Sequence, residues 1–199
     1  MKTKVTFKYD KKNNIWFLVM LFLAVVMYVT IDFHIGALVG YAGLYYLIKS
    51  LSIELDERYP WLWTLILFVL GAVLSVFCVQ YLILEPENFS RTNDFMLFLN
   101  VLCALTVYLF VQLFTDNVAL SCAISHLFLL CLAFINYFVY LFRGNEFTFA
   151  DIRSIGTGLS VAGNYQLRLY DRGVYVIFAT TLFLALVRKC EIKFHHVWR

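Results

Sequence analysis

Chemistry in a protein needs titratable and nucleophilic side chains gathered within a few ångströms, so the polar residues come first. Within the predicted membrane spans of this chain they are Gln80, Asn100, Gln112, His126 and Asn136, with scattered Ser, Thr and Tyr but no Lys, Arg, Asp or Glu. An ion or proton carrier ordinarily shows a carboxylate or a basic partner at such depth. That pattern disfavours a small transporter. Asn100 and Asn136 are expected to hydrogen-bond between helices, and His126 to be a hydrogen-bonded core histidine. Cys78, Cys103, Cys122, Cys131 and Cys190 lack paired metal or redox spacing and read as small apolar residues. His195-His196 is a weak metal signal, because adjacent side chains diverge and no third ligand stands near. Gly-rich phosphate loops, HExxH, GxSxG and CxxC are all missing from the sequence. No cofactor or metal is expected.

A different set of candidates lies in the segment Arg143–Arg172, which carries Arg143, Arg153, Arg168 and Arg172. Guanidinium forks suit phosphate oxygens, so these arginines are candidates for a lipid headgroup. The competing reading is that they only snorkel at the interface. Around them, Gly144 follows a helix end, and Thr148 with Asp151 three residues on makes a helix start. Phe149, Ile152, Ile155, Leu159 and Ala162 follow at helical spacing, and Gly163-Asn164 supplies a stop. The spacing predicts an interfacial amphipathic helix over about 149–162, apolar side toward lipid.

The elements that must position these groups follow from composition. Of the 199 residues, 62% are apolar and 15% charged, against about 45–50% and about 25% in soluble domains. So few charges cannot cover a surface in water. Disorder, a collagen-like chain and an ordinary soluble enzyme are excluded, and a net charge of +3 argues against a nucleic-acid surface. What remains is an all-α, polytopic membrane bundle in a single transmembrane domain over 15–187.

About 20 apolar residues cross the hydrocarbon core. Trp61–Leu84, Phe95–Phe114 and Val118–Phe142 meet that requirement, and 173–187 is shorter. The run 15–48 is too long for one span and is interrupted by Asp32 and His34, so it reads as two helices, 15–31 and 35–48. A cleaved signal peptide fits less well, because no small-x-small site precedes Asp32. Six spans bring both termini to one side. That side then holds eleven Lys and Arg, against five on the other. The bias predicts a cytoplasmic basic N-terminus (1–14) and a cytoplasmic basic tail (188–199) in a cell membrane.

Asn136-Tyr137, Phe142-Arg143-Gly144, Phe147 to Asp151 and Val161-Ala162-Gly163-Asn164-Tyr165 form a spaced pattern across this loop. The pattern resembles the membrane region of lipoteichoic acid synthase-like proteins, which are polyglycerolphosphate transferases of the sulfatase and alkaline phosphatase superfamily. The Leu113-Phe114-Thr115 hairpin fits as well, and the likeness covers about 95–190. Before that, only the hydrophobic helices are alike. In that family an extracellular domain with a metal ion and a nucleophilic threonine moves glycerol phosphate from phosphatidylglycerol onto a lipid-linked polymer. The 199 residues contain no counterpart of that domain, so no catalytic residue carries over. The resemblance implies a bacterial, non-catalytic module of cell-envelope biogenesis, whether standalone, truncated or a fragment. Its expected partners are membrane lipids such as phosphatidylglycerol or a glycolipid, and a separate sulfatase-like catalytic protein or other envelope protein. The alternative is an interaction or regulatory subunit of an envelope complex.

The orientation is testable. In intact cells, Ser154→Cys and Thr157→Cys are expected to react with a membrane-impermeant maleimide. Reaction only after permeabilisation would invert the topology.

Overall fold

The structure, a computed structural model, describes residues 4–7, 17–18, 22, 25, 34–54, 59–83, 93–144, 148 and 171–191. In chain order they form β1 (Lys4–Phe7), α1 (Ile35–Ser50), β2 (Leu51–Glu54), α2 (Pro60–Ile83), α3 (Asp94–Gln112), α4 (Val118–Arg143), α5 (Asp171–Lys189) and β3 (Cys190–Glu191). Of these helices α2, α3 and α4 are long and apolar enough to cross a membrane. The expected first span is described at Phe17, Leu18, Phe22 and Val25, all helical. The expected interfacial helix lies outside the described residues.

Helix boundaries follow local chemistry. Pro60 opens α2, where its missing N–H costs nothing. The side chain of Asn93 accepts from the Phe95 N–H at 3.0 Å, capping α3. Asn117 does the same for α4, accepting from Ala119 N–H at 2.9 Å and Leu120 N–H at 3.3 Å. Between these two helices the turn is closed by Gln112 Nε2, which donates to the Thr115 carbonyl at 3.1 Å. So short a connection makes α3 and α4 an antiparallel hairpin. At the far end, Gly144 takes a left-handed conformation (φ 69°, ψ 6°) and its N–H donates to Tyr140 O at 2.8 Å. Only glycine adopts that geometry without a Cβ penalty, which is why α4 stops there.

The core is built around α2. Leu67, Phe68 and Ala72 pack with Tyr108 of α3, Cys122 of α4 and Phe183 of α5 toward one end of the bundle. Cys78 and Leu82 pack with Leu130 and Tyr137 of α4 and Val176 of α5 toward the other. The order of these contacts makes α4 parallel to α2 and α5 antiparallel to it. α1 stands outside this group and packs chiefly on α5. There Tyr41 stacks on Phe178, ring centroids 4.1 Å apart, and its hydroxyl meets Thr181 Oγ1 at 2.9 Å. Thr181 spends its own hydrogen on the carbonyls of Ile177 and Phe178, so Tyr41 is the donor.

The bundle is helical as expected, and three short strands are added to it at one end. The basic N-terminus and the tail were expected only as cytoplasmic extensions, yet β1, β2 and β3 form one sheet in that order. β1 runs antiparallel to β2, pairing Val5 with Ile53, Thr6 with Ser52 and Phe7 with Leu51. β2 runs parallel to β3, pairing Ile53 with Cys190. The register sets apolar beside apolar and polar beside polar. Cys190 also packs against the core, so the sheet closes that end of the bundle. Its partial burial raises the thiol above its usual range, as suits a packing residue more than a nucleophile.

One close approach is strict. A Cβ on Gly71 would stand 2.8 Å from Phe183 Cζ and from Tyr108 Oη, both side chains being buried. A Cβ on Gly40 in α1 would meet nothing within 4 Å. Gly71→Ala is therefore expected to cost about 1–3 kcal/mol through overpacking, whereas Gly40→Ala is expected to be neutral or stabilising on helix propensity. Thermal unfolding of both variants in detergent checks the pair.

Candidate functional site

The polar residues of the bundle interior converge on His126. Ser75 of α2, Tyr108 of α3, His126 of α4 and Thr180 of α5 are all buried. Ser75 Oγ lies 2.8 Å from His126 Nδ1 and 3.1 Å from Tyr108 Oη. Tyr108 Oη is also 3.1 Å from Nδ1. On the other side of the ring, Nε2 lies 3.2 Å from Thr180 Oγ1. One imidazole thus joins four helices.

Counting hydrogens assigns the tautomer. Ser75 Oγ donates to the Gly71 carbonyl at 2.8 Å, leaving its lone pairs as acceptors. With the hydrogen on Nδ1, His126 donates to Ser75, Tyr108 donates to Ser75, and Thr180 donates to Nε2. With the hydrogen on Nε2, the 2.8 Å contact between Ser75 and Nδ1 would hold none. The Nδ1–H form therefore satisfies the cluster. Phe183, its ring centroid 5.0 Å from that of His126, walls it with hydrocarbon.

Ser beside His is the pairing used for nucleophilic catalysis, but here the serine hydrogen is committed to backbone and every member is enclosed. The arrangement holds helices together. Among the described residues no group of three His, Cys, Asp or Glu side chains could hold a metal ion.

The other sequence candidates fall elsewhere. Asn136 is half-buried on α4 and Asn100 is exposed on α3, so the structure does not bring the two asparagines to His126. Among the described residues the Asn100 side chain makes no hydrogen bond. Ala104 and Tyr108, four and eight residues on, share its face and are buried, so α3 closes on its neighbours chiefly beyond Asn100. Gly144 caps α4, directly after Arg143. Arg172 lies in the first turn of α5, half-buried, and Thr148 is exposed. Arg153, Arg168, Asp151, Gly163 and Asn164 lie outside the described residues.

Sequence reasoning missed Ser75, Tyr108 and Thr180. A signal was there for Ser75. Gly71-x-x-x-Ser75 on α2 and Ser121-x-x-x-Ser125 on α4 have the small-residue spacing that lets membrane helices approach closely. Ser121 and Ser125 are fully buried. Nothing comparable marks Tyr108 or Thr180, whose roles depend on which helices become neighbours. No family model, curated protein or solved structure matches the chain.

Two serines give a matched test. Ser125 Oγ is buried with no hydrogen-bond partner among the described residues, whereas Ser75 Oγ is fully engaged. Ser75→Ala is expected to lower stability by about 0.5–2 kcal/mol, and Ser125→Ala to leave it unchanged or raise it. Reversible unfolding in mixed micelles, read by helical circular dichroism, separates the two outcomes.

Proposed function

We propose that this chain is a non-catalytic, six-span module of the cell membrane whose segment between α4 and α5 handles anionic lipid at the outer leaflet. The observation that carries the reading is the three-stranded sheet. Residues 4–7, 51–54 and 190–191 are hydrogen-bonded together at one end of the bundle. The chain must then cross an even number of times between each pair of them. Four helices, α2 to α5, lie between the second and third. Between the first and second lie α1 and the run 15–31, and the Phe17 ring sits 5.2 Å from that of Tyr46 near the end of α1. That contact supports an antiparallel pair.

The sheet end gathers the lysine-rich N-terminus and the basic tail, so the positive-inside rule makes it cytoplasmic. α4 ends at Arg143 and α5 begins at Asp171 at the opposite end. The basic stretch 143–172 then belongs to the outer face. Arginines at that depth suit phosphate-bearing headgroups, of which phosphatidylglycerol or a glycolipid is the class implied by the resemblance to lipoteichoic acid synthase-like proteins. In such a module the chemistry falls to a separate envelope enzyme, and the bundle anchors and presents lipid.

Arg143→Ala and Arg172→Ala are each expected to weaken retention of phosphatidylglycerol by about fivefold, the equivalent of about 1 kcal/mol per surface arginine. Arg188→Ala, at the sheet end, is expected to leave it unchanged. Native mass spectrometry from phosphatidylglycerol-doped nanodiscs reads this. Equal retention by all three variants overturns the lipid role, and turnover of a fluorescent phosphatidylglycerol by the pure protein overturns the non-catalytic one.

A further inference from the structure

Of the three helices long and apolar enough to cross a membrane, α3 has the least cover. Only 11% of its apolar window is buried, against 44% for α2 and 39% for α4. The uncovered side is patterned. Met96, Asn100, Cys103, Val107 and Phe110 follow at alternating intervals of four and three. Such a 3.5-residue repeat keeps one stripe of a helix against one neighbouring helix over several turns. Met96, Asn100, Cys103 and Phe110 are exposed and Val107 is half-buried, so among the described residues no helix of the same chain occupies the stripe.

Asn100 makes that vacancy costly. It lies about 9 Å along the axis from Asp94, at a rise of 1.5 Å per residue. Its amide has no hydrogen-bond partner among the described residues, and Leu99 and Leu102 beside it are exposed apolar residues. An amide left unpaired in hydrocarbon costs several kcal/mol. Lipid tails cannot relieve it. A foreign helix would need a polar residue at the same depth and on the same face. A second copy of this chain supplies one automatically, because a two-fold axis along the membrane normal sets equal depths against each other. The asparagine amide is self-complementary, with N–H donors and a carbonyl acceptor on one group. A single asparagine in an apolar heptad seam is also the device that fixes register between helices. Beside the seam, Val107 and Phe110 form one wall of an open apolar groove, with Ile124 and Phe128 of α4 as the other. The groove lies at the depth where Phe110 of the second copy would arrive.

We propose that α3 is a homodimerisation helix, in which the Asn100 amides of two copies hydrogen-bond across a parallel, two-fold seam. Cys103, one turn away on the same stripe, reports on it. In native membranes the oxidant copper phenanthroline is expected to link two copies through Cys103, giving a disulfide as two thiols lose two hydrogens to the oxidant. Cys103→Ala should abolish that covalent dimer and Cys131→Ala should not. Asn100→Leu should weaken association about tenfold, judged by single-molecule photobleaching in dilute supported bilayers, and Asn100→Gln should retain most of it. Because Asn100 is exposed, the leucine variant should keep the wild-type melting temperature, which separates lost association from misfolding. Single-step bleaching of the wild-type chain, cross-linking that survives Cys103→Ala, association unmoved by Asn100→Leu, or capture of a different protein at Cys103 would each overturn the proposal.

Discussion

In a bilayer the hydrophobic effect no longer drives helices together, because lipid tails are as apolar as leucine, so packing and internal hydrogen bonds must do it. His126 meets that requirement for α2, α3, α4 and α5. Its two ring nitrogens reach side chains from α2, α3 and α5, and the Nδ1–H tautomer fills more of these contacts than the Nε2–H form. Gly71 is the geometric partner of that cluster. Its bare backbone lets Tyr108 and Phe183 close on α2, and its carbonyl takes the Ser75 hydrogen and frees that oxygen to accept. Packing and polarity are therefore one constraint here. The small residue permits the approach, and the approach permits the bonds.

The ends of the bundle are specialised differently. At one end three strands remote in sequence are tied together, and Cys190 joins their apolar register to the core. At the other end α4 runs on to a glycine cap beside Arg143, and α5 begins with an aspartate and Arg172. The same asymmetry appears around the bundle. α2 has more of its surface covered by its neighbours, whereas α3 offers a patterned exposed stripe with an asparagine in it. A membrane helix that keeps a polar residue on its outer side is shaped for contact with another chain.

Most of the helices were legible because their cause is local. The apolar runs long enough to cross and Gly144 at a helix end are read directly from the chain, and the structure adds the caps Asn93 and Asn117, each decided within a few residues. The fate of the polar residues was not legible to the same degree. His126 and Asn100 look alike in sequence, one polar residue within an apolar run. Only the placement of the helices buries the first, where four of them meet, and exposes the second, in the early turns of α3. Likewise Lys4–Phe7 reads as a basic tail until a strand more than forty residues away is there to pair with it.

The sequence alone determined that the chain belongs in a membrane and that its backbone there is helical, since hydrocarbon offers no partner for a peptide group outside its own helix. It also determined where charge collects, because a charged side chain is costly at any depth whatever its neighbours. Tertiary structure decided which hydroxyls meet the imidazole, which helix stays bare, and that three distant segments share one sheet. Those outcomes depend on which elements become neighbours and at what rotation, and neither quantity is carried by the spacing of residues within a single helix.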